Sequence, residues 1–274
     1  MGAAPFQLIG ASDGPLAVYF HGAPGGPQEA LRFDDAARQA GVRLALADRV
    51  RIAPGETGEA YWAALAGAVD HLAAEGPVSL VGFSIGAFAA LQVAGRIRTP
   101  PCSVDLVSAA GPLESGDFLD AMAGAPVFRL ARVPRGVFAA VVAAQGALVR
   151  LIPDTVVRTL FQGVTGAEAA LAGDRAFRAE VAGLLALSYG ADRDGFVRDL
   201  QLYVQPWAGS LAQLRGPARL WHGSADTWTP PAMAERLVQL LPQGSGLAGV
   251  AGQGHFSTLF ETMPGILQRV GRGA

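Results

Sequence analysis

One pentapeptide in the sequence combines the residue types that a nucleophilic serine requires. Gly82-Phe83-Ser84-Ile85-Gly86 follows an apolar run that ends at Val81 and precedes an alanine-rich stretch without proline. The first pattern predicts a strand and the second a helix, so Ser84 would stand on a tight turn between them. Small residues two positions to either side let the backbone turn that sharply. We therefore expect Ser84 to be a nucleophile, with the first amides of the helix pointing toward it.

A serine is a weak nucleophile unless a base and an acid activate it. Two loops that follow apolar runs supply a candidate acid and a candidate base. Asp226 lies in the loop at residues 222–226, and His255 lies in the loop at residues 252–256. If both runs are strands of a parallel sheet, their carboxyl ends share one edge, and Ser84, Asp226 and His255 can meet there. His255 would then take the proton of the serine hydroxyl, while Asp226 would orient the imidazole.

Other polar residues near predicted strand ends have further interpretations. Glu114 and Asp117 are alternative acids, and Asp226 could instead cap the turn before Pro230. His21 and His222 each end a predicted strand just before a glycine, and we expect them to be hydrogen-bonded packing residues.

Apolar periodicity predicts the elements that position these residues. Strand patterns and helix patterns alternate from residue 17 to residue 109 and again from residue 217 to the end of the chain. The predicted strands cover residues 17–20, 42–47, 78–81, 104–109, 217–222 and 247–250, and the predicted helices cover 28–39, 60–74, 87–94, 233–241 and 256–270. Such alternation predicts an α/β fold with a mostly parallel central sheet flanked by helices.

The alternation stops between residues 111 and 213, where the patterns are helical only. Helices are expected at residues 118–130, 137–152, 155–161, 176–189 and 196–203. We therefore predict a core formed by residues 1–110 and 214–274 and an inserted all-helical segment at 111–213. Its many aromatic residues suggest an apolar chamber. The candidate pocket residues are Phe83, Phe118, Trp207 and Phe256.

Composition limits the partners of the chain. The 274 residues are 51% hydrophobic with a formal net charge of −2, so no basic surface for nucleic acid or anionic lipid is expected. The single cysteine, Cys102, excludes an intramolecular disulfide and a cysteine-based zinc site. The glycine clusters lack the spacing of nucleotide-binding loops. We expect a small-molecule substrate, no cofactor and no metal.

The location of the protein is also an expectation from sequence. Residues 1–6 lack the basic and apolar regions of a signal peptide, which predicts a cytoplasmic protein. The apolar stretch at 137–152 is shorter than the roughly 20 residues of a membrane span and contains Arg150, so no stable membrane insertion is expected. The oligomeric state is open, and this stretch is where we expect a dimer contact or a moving lid.

Four motifs in order resemble those of the α/β-hydrolase family, and the resemblance covers nearly the whole chain. They are the HG-x-PG loop at residues 21–25, the serine turn at 82–86, the HG-x-x-D loop that ends at Asp226 and the G-H pair that ends at His255. An Asp-Arg pair typical of the family stands at residues 48–49, but the Pro-Gly-x-Gly-x-Ser loop that often follows it is replaced by Val50-Arg51-Ile52-Ala53. The resemblance implies that the helical insertion is a cap over the catalytic edge.

The resemblance implies a Ser-His-Asp hydrolase that forms an acyl-enzyme. The backbone N–H groups of Ala23 and Ile85 would hold the oxyanion. A serine at position 84, where related dehalogenases and epoxide hydrolases carry aspartate, disfavours those two activities. The expected substrate is a small or medium apolar carboxylic ester, lactone or thioester. Hydrolysis of a carbon–carbon bond, an aminopeptidase reaction and a non-catalytic binding protein on the same scaffold are the alternatives.

Overall fold

The structure is a computed structural model that describes residues 5–273. Residues 1–4, which carry most of the segment used above to predict the absence of a signal peptide, lie outside the described part, as does Ala274.

Seven strands of the described chain form one sheet in the order β1-β3-β2-β4-β5-β6-β7. Only β1 runs antiparallel to its neighbour, and all other pairs are parallel. The strands are β1 (Phe6–Gly10), β2 (Leu16–Phe20), β3 (Arg43–Ala47), β4 (Val78–Phe83), β5 (Val104–Val107), β6 (Arg219–Gly223) and β7 (Gly246–Val250). The mostly parallel sheet predicted from the sequence is thereby confirmed.

Helices connect the strands and cover the sheet. They are α1 (Asp34–Gln39), α2 (Arg49–Ile52), α3 (Gly58–Leu72), α4 (Ile85–Ala94), α11 (Pro231–Leu240) and α12 (His255–Gly271). Every residue of β2 and β4 is buried, which requires cover on both faces of the sheet. All ten residues of α4 are buried as well, since this helix lies against β4, β5 and β2. The start of α4, directly behind Ser84, is therefore held rigidly.

Between β5 and β6 the described chain contains helices and turns without a strand. The α-helices are α5 (Ala125–Leu130), α6 (Arg135–Leu151), α7 (Pro153–Leu160), α8 (Gly166–Gly173), α9 (Arg175–Tyr189) and α10 (Arg193–Tyr203). Helix α9 packs against α6, α7, α8 and α10, so these helices form one layer. We call residues 111–213 the helical insertion. The division of the chain into a core domain (1–110 and 214–274) and a cap domain (111–213) stays a prediction.

Several details differ from the sequence-based expectation, among them the short helix α2, which was not predicted. The edge strand β1 and the helix α8 were not predicted, because FQLIG is too short for a clear alternation and GAEAALAG too rich in glycine and alanine for a clear helical face. The single helix expected at 118–130 is instead a short 3-10 turn at Leu119–Ala121 and the separate helix α5. Likewise, residues 28–39 divide into a 3-10 helix at Pro27–Phe33 and α1.

No single helix within residues 5–273 is long and apolar enough to cross a membrane. Helices α6 and α7 reach the required length only as a pair that is bent by 115°.

Candidate active site

Ser84 occupies a strained turn between β4 and α4. Its backbone has φ 55° and ψ −124°, a region that residues with a side chain rarely adopt. A Cβ atom added at Gly82 would lie 2.6 Å from the backbone of α4. One added at Gly86 would lie 2.5 Å from the carbonyl oxygen of His21 and closer still to that of Phe20. Both glycines are therefore required by space, and the turn lifts Ser84 out of the sheet.

His255 and Asp226 are in direct contact at the same edge of the sheet. His255 is the first residue of α12, and its Nδ1 lies 2.8 Å from Oδ2 of Asp226 in the loop after β6. The other carboxylate oxygen accepts the backbone N–H groups of Trp228 and Thr229, at 2.8 and 2.9 Å. Both oxygens of Asp226 thus have partners, which fixes the carboxylate toward the imidazole.

The contact between the two residues sets their charge. Burial by itself would lower the pKa of His255, but the charge of Asp226 outweighs burial and raises this pKa above its usual value. Burial would conversely raise the pKa of Asp226, and the positive charge that His255 can carry lowers it instead. Asp226 is therefore ionised at neutral pH, and it stabilises a proton on His255.

Neighbouring side chains fix the ring and backbone of His255. The ring of Trp228 is stacked on the imidazole, with centroids 5.6 Å apart and an interplanar angle of 15°. The ring of Phe83 lies on another side, at 4.9 Å. The Ser108 hydroxyl donates to the His255 carbonyl oxygen at 3.0 Å. Among the described residues no hydrogen bond joins Ser84 to His255, a bond that in hydrolases is often long until substrate binds.

The two predicted oxyanion donors are free and face the same space. No hydrogen bond of the described residues uses the N–H of Ala23 or of Ile85. Both residues line the cavity to which Ser84 also contributes. Ile85 stands at the start of α4, where the helix leaves its first amides without internal partners.

The loop that carries Ala23 is held from three directions. The N–H of Gly22 donates to the buried carboxyl of Glu29 at 3.0 Å. The Arg49 guanidinium donates to the carbonyl oxygen of His21 at 2.5 Å. The Ser188 hydroxyl of α9 lies 3.0 Å from the N–H and 3.1 Å from the carbonyl oxygen of Gly25. The position of this loop thus depends on the segments that follow β2 and β3 and on the helical insertion.

The remaining candidates have structural roles. Burial and the positive charge of the neighbouring Arg49 lower the pKa of His21 to about 3. The Nδ1 of His21 contacts the carbonyl oxygen of Gly22. His222 contacts the carbonyl oxygen of Thr229 through Nε2 at 2.7 Å. Glu114 accepts the N–H groups of Trp207 and Ala208, and Asp117 is exposed. Asp226, rather than either alternative acid, therefore contacts His255.

Several solved structures are similar to this chain over nearly its whole length. A bromoperoxidase from Bacillus anthracis superposes with a TM-score of 0.68 at 17% sequence identity, covering 97% of this chain and 94% of the other. An enol-lactonase from Burkholderia xenovorans LB400 gives 0.66 at 15% identity, covering 98% and 95%. An esterase from Thermogutta terrifontis gives 0.65 at 18% identity, covering 97% and 92%. The α/β-hydrolase enzyme MGS-M2 gives 0.68 at 16% identity, covering 97% and 92%.

The chain has the α/β-hydrolase fold. No protein-family model matches the sequence, and no curated protein is similar enough in sequence to match it. At 15–18% identity the likeness extends to the fold alone.

The cavity at Ser84 lies between the α/β-hydrolase fold and the helical insertion. It measures about 60 Å³. Within the described residues its lining contains no charged side chain, and half of its members come from the insertion. The lining residues are Ala23, Pro24, Ser84, Ile85, Ala110, Gly124, Val127, Phe128, Leu160, Tyr189, Phe196, Leu200, Trp228 and Thr229. The space therefore suits a small apolar group.

None of the four residues named from sequence as pocket candidates is part of this lining. Phe83 and Phe256 pack against each other at 5.3 Å, and both contact the ring of His255. Trp207 packs against Phe88 at 4.7 Å, and Phe118 is buried elsewhere in the insertion. The walls come instead from Phe128, Tyr189 and Phe196 among others, whose position depends on how the insertion helices pack.

Larger clefts lie away from Ser84. One of about 450 Å³ lies between residues 50–57 and the insertion, and another of about 420 Å³ lies near Leu16 and Pro77, at the amino ends of the strands. We regard the smaller cavity as the site, since it alone among these contains a strained serine and free backbone donors. Within residues 5–273 no group of three or more histidine, cysteine or carboxylate side chains is arranged to hold a metal ion.

Among the described residues, three side chains that form hydrogen bonds with Asp226 or with the first turn of α12 were not predicted as site residues from the sequence. The Thr229 hydroxyl lies 2.9 Å from Oδ2 of Asp226, and the spacing of three residues between an aspartate and a threonine in a turn is a signal that could have indicated it. Ser108 carries no such signal, although its φ of 46° marks a second strained position. Glu168, which binds the start of α12, comes from a distant helix and has no local signal.

Proposed function

We propose that this protein is a serine hydrolase that cleaves a small apolar carboxylic ester, lactone or thioester. The observation that carries the proposal is the buried Asp226–His255 contact at the sheet edge on which Ser84 occupies its strained turn. The hydrolase names of several neighbours with this fold agree with the proposal.

The proposed reaction has two halves. Ser84 Oγ attacks the substrate carbonyl while His255 Nε2 takes the hydroxyl proton, and Asp226 stabilises the resulting imidazolium. The tetrahedral intermediate collapses when His255 returns that proton to the leaving group. Water, deprotonated by His255, then attacks the acyl-enzyme, and its proton passes back to Ser84 as the acid leaves.

Negative charge develops on the carbonyl oxygen in both halves. The N–H groups of Ala23 and Ile85 are the proposed donors, because they have no hydrogen-bond partner in the described part of the chain and both residues line the cavity with Ser84. One such donor typically contributes about 3 kcal/mol to the stabilisation of the transition state. Both donors belong to the main chain, so substitutions act on them through the position of the loop and of α4.

The cavity supports the apolar and small character of the substrate. The cavity of about 60 Å³ has room for a few water molecules, since one water needs on the order of 15 Å³ of accessible space. Among residues 5–273, none of those that line it carries a carboxylate to bind a substrate ammonium, which disfavours the aminopeptidase alternative. Glu168 and Asp174, two of the acidic residues of the insertion, are occupied with backbone N–H groups.

Reaction with a fluorophosphonate probe tests the proposal. Intact mass spectrometry of the wild-type protein should show one adduct, and the Ser84→Ala variant should show none, because only an activated serine reacts. Esters of graded acyl length then give the preferred substrate, which we expect among the short chains. A wild-type protein that remains unmodified at high probe and hydrolyses no ester would contradict the proposal and favour a non-catalytic binding protein.

A further inference from the structure

Glu168 of the helical insertion binds the helix that begins with His255. This residue lies in α8 and is only 1% exposed. Its Oε1 accepts the N–H of Phe256 at 3.0 Å, and its Oε2 accepts the N–H of Ser257 at 2.8 Å. These two groups directly follow His255 in the first turn of α12. One carboxylate thus holds the turn through both of its oxygens.

The neighbouring backbone is fitted to this contact. A Cβ atom at Gly254 would lie 2.7 Å from the Cβ of Glu168, so only glycine leaves room for the carboxylate to approach. The N–H of Ala167 also donates to the carbonyl oxygen of Gly252, at 3.3 Å. The amino end of α8 is therefore docked on the loop that leads into His255.

The contact also brings a negative charge close to the imidazole. The ionisable groups that act on His255 are Asp226 at Nδ1, Glu168 from the insertion, Glu29 from the segment after β2, and the buried His222. After burial and Asp226, Glu168 is the next influence, and it raises the pKa of His255. No ion pair with Glu168 is formed by the described residues, so its charge is not neutralised by a neighbouring cation.

We propose that Glu168 is a positioning residue for His255, which fixes the imidazole through the first turn of α12 and stabilises its protonated form. The inference rests on the proposed function, since the protonated form matters only if His255 accepts a proton. It assigns to the helical insertion a part in the proton transfer, in addition to covering the cavity.

The test compares Glu168→Gln with a matched control. Asp174→Asn removes a carboxylate that caps α9 through the N–H groups of Ala176 and Phe177, at an exposed position of the same insertion. We expect Glu168→Gln to lower kcat/KM roughly 10-fold through loss of position. We also expect the acid limb of its pH profile to move to lower pH by about 0.5 unit or more, because the imidazolium loses a nearby negative charge. Asp174→Asn should retain both the rate and the acid limb.

Two outcomes overturn the inference. One is a Glu168→Gln protein with wild-type rate and profile, and the other is a slower protein whose acid limb is unmoved, which would make Glu168 a structural cap only. Glu168→Asp keeps the charge on a shorter side chain and is expected to show a lower kcat with the wild-type acid limb. If Glu168→Gln does not fold, this variant decides, and a wild-type kcat would then overturn the inference.

An independent readout separates this inference from the proposed function. Proton NMR titration follows the imidazole of His255 directly, with the signal assigned by its loss in His255→Gln. If the wild-type protein neither reacts with the probe nor hydrolyses esters, the proposed function fails. The difference in the His255 titration between wild type and Glu168→Gln still tests the role of Glu168 in that case.

Discussion

Glu29 places a carboxyl group in the interior beneath the loop of Ala23. Its Oε1 accepts the Tyr19 hydroxyl at 2.6 Å and the N–H of Gly22 at 3.0 Å, whereas its buried Oε2 has no hydrogen-bond partner among residues 5–273. Burial raises the pKa of Glu29 from its ordinary value of 4.5 to about 7, although the hydrogen bonds from Tyr19 and Gly22 act in the opposite direction. The folded protein therefore holds this proton more tightly than the unfolded chain does.

This difference predicts how stability depends on pH. Since the folded pKa is the higher one, the contribution of Glu29 is fully present below pH 4.5 and is lost as pH rises through about 7. The difference corresponds to about 3 kcal/mol. We expect urea unfolding to show that the free energy of unfolding of the wild type, relative to that of Glu29→Gln, is lower at pH 8 than at pH 4.5 by about 3 kcal/mol. Glu56→Gln, at an exposed position, controls for the lost charge, and parallel curves for wild type and Glu29→Gln would refute the prediction.

Among single residues, the three that the sequence predicts to form the triad share one property. Ser84, Asp226 and His255 each follow a strand of a parallel sheet, so topology alone brings them to one edge. Glu168, Ser188 and Thr229 act through contacts that sequence spacing does not encode, apart from the turn that places Thr229 near Asp226. The roles of Glu168 and Ser188 depend on how α8 and α9 dock, which follows from side-chain packing over the whole insertion.

Helix α10 and the short helix α2 after β3 are joined by a buried ion pair. The carboxylate of Asp199 lies 2.9 Å from the Arg49 guanidinium, and it also accepts the Tyr61 hydroxyl at 3.0 Å. Arg198 lies against the same carboxylate at 3.0 Å. The two guanidinium groups outweigh burial, so the pKa of Asp199 is lowered and the carboxylate stays ionised. The cluster lies directly before Val50-Arg51-Ile52-Ala53, the stretch in which the sequence lacks a Pro-Gly-x-Gly-x-Ser loop.

The pair predicts a stability difference within one helix. Asp199→Asn leaves the buried charge of Arg49 under-compensated and should lower the free energy of unfolding by about 3 kcal/mol. Asp194→Asn removes a carboxylate of the same helix that is 83% exposed and 3.8 Å from Arg135, and it should cost less than about 0.5 kcal/mol. Urea denaturation of both variants measures the two values. Equal effects would mean that Asp199 contributes no more than a surface charge.

The elements that the sequence predicted best are those with a buried side on a regular period. Strands β2 to β6 and the helices α3, α4 and α9 have long apolar patterns, and the structure has them within a few residues of the predicted bounds. Elements without such a pattern were missed or joined. Within residues 5–273, strand β1 pairs with β3 alone at the edge of the sheet, so it needs little apolar surface to form.

The whole molecule encloses a smaller space at Ser84 than its many aromatic residues suggest. Most of those rings pack on one another, for example Phe161 on Phe177 at 5.5 Å and Trp207 on Phe88 at 4.7 Å. The sequence predicts that such residues line a chamber, but it does not show which rings pack against other side chains and which face the cavity. Only the folded arrangement distinguishes Phe128, which lines the cavity, from Phe118, which does not.

These two phenylalanines provide a test of substrate size. Both lie in the insertion at 8% and 9% exposure, so Phe128→Ala and Phe118→Ala should lower stability to a similar extent, by about 3 kcal/mol. Only Phe128→Ala enlarges the cavity, and it should raise the ratio of kcat/KM for an octanoate ester over an acetate ester roughly 10-fold. An equal change of this ratio in Phe118→Ala would show that the preference depends on stability rather than on space.

The attachments of the insertion at Glu168, Ser188 and Asp199 limit how this protein can be recombined with others of its fold. Exchanging residues 111–213 for the corresponding segment of a protein with the same fold would replace half of the cavity lining. It would also remove the side chains that hold the first turn of α12 and the Ala23 loop in place. A working chimera must therefore carry these three side chains, or equivalents of them, together with the graft.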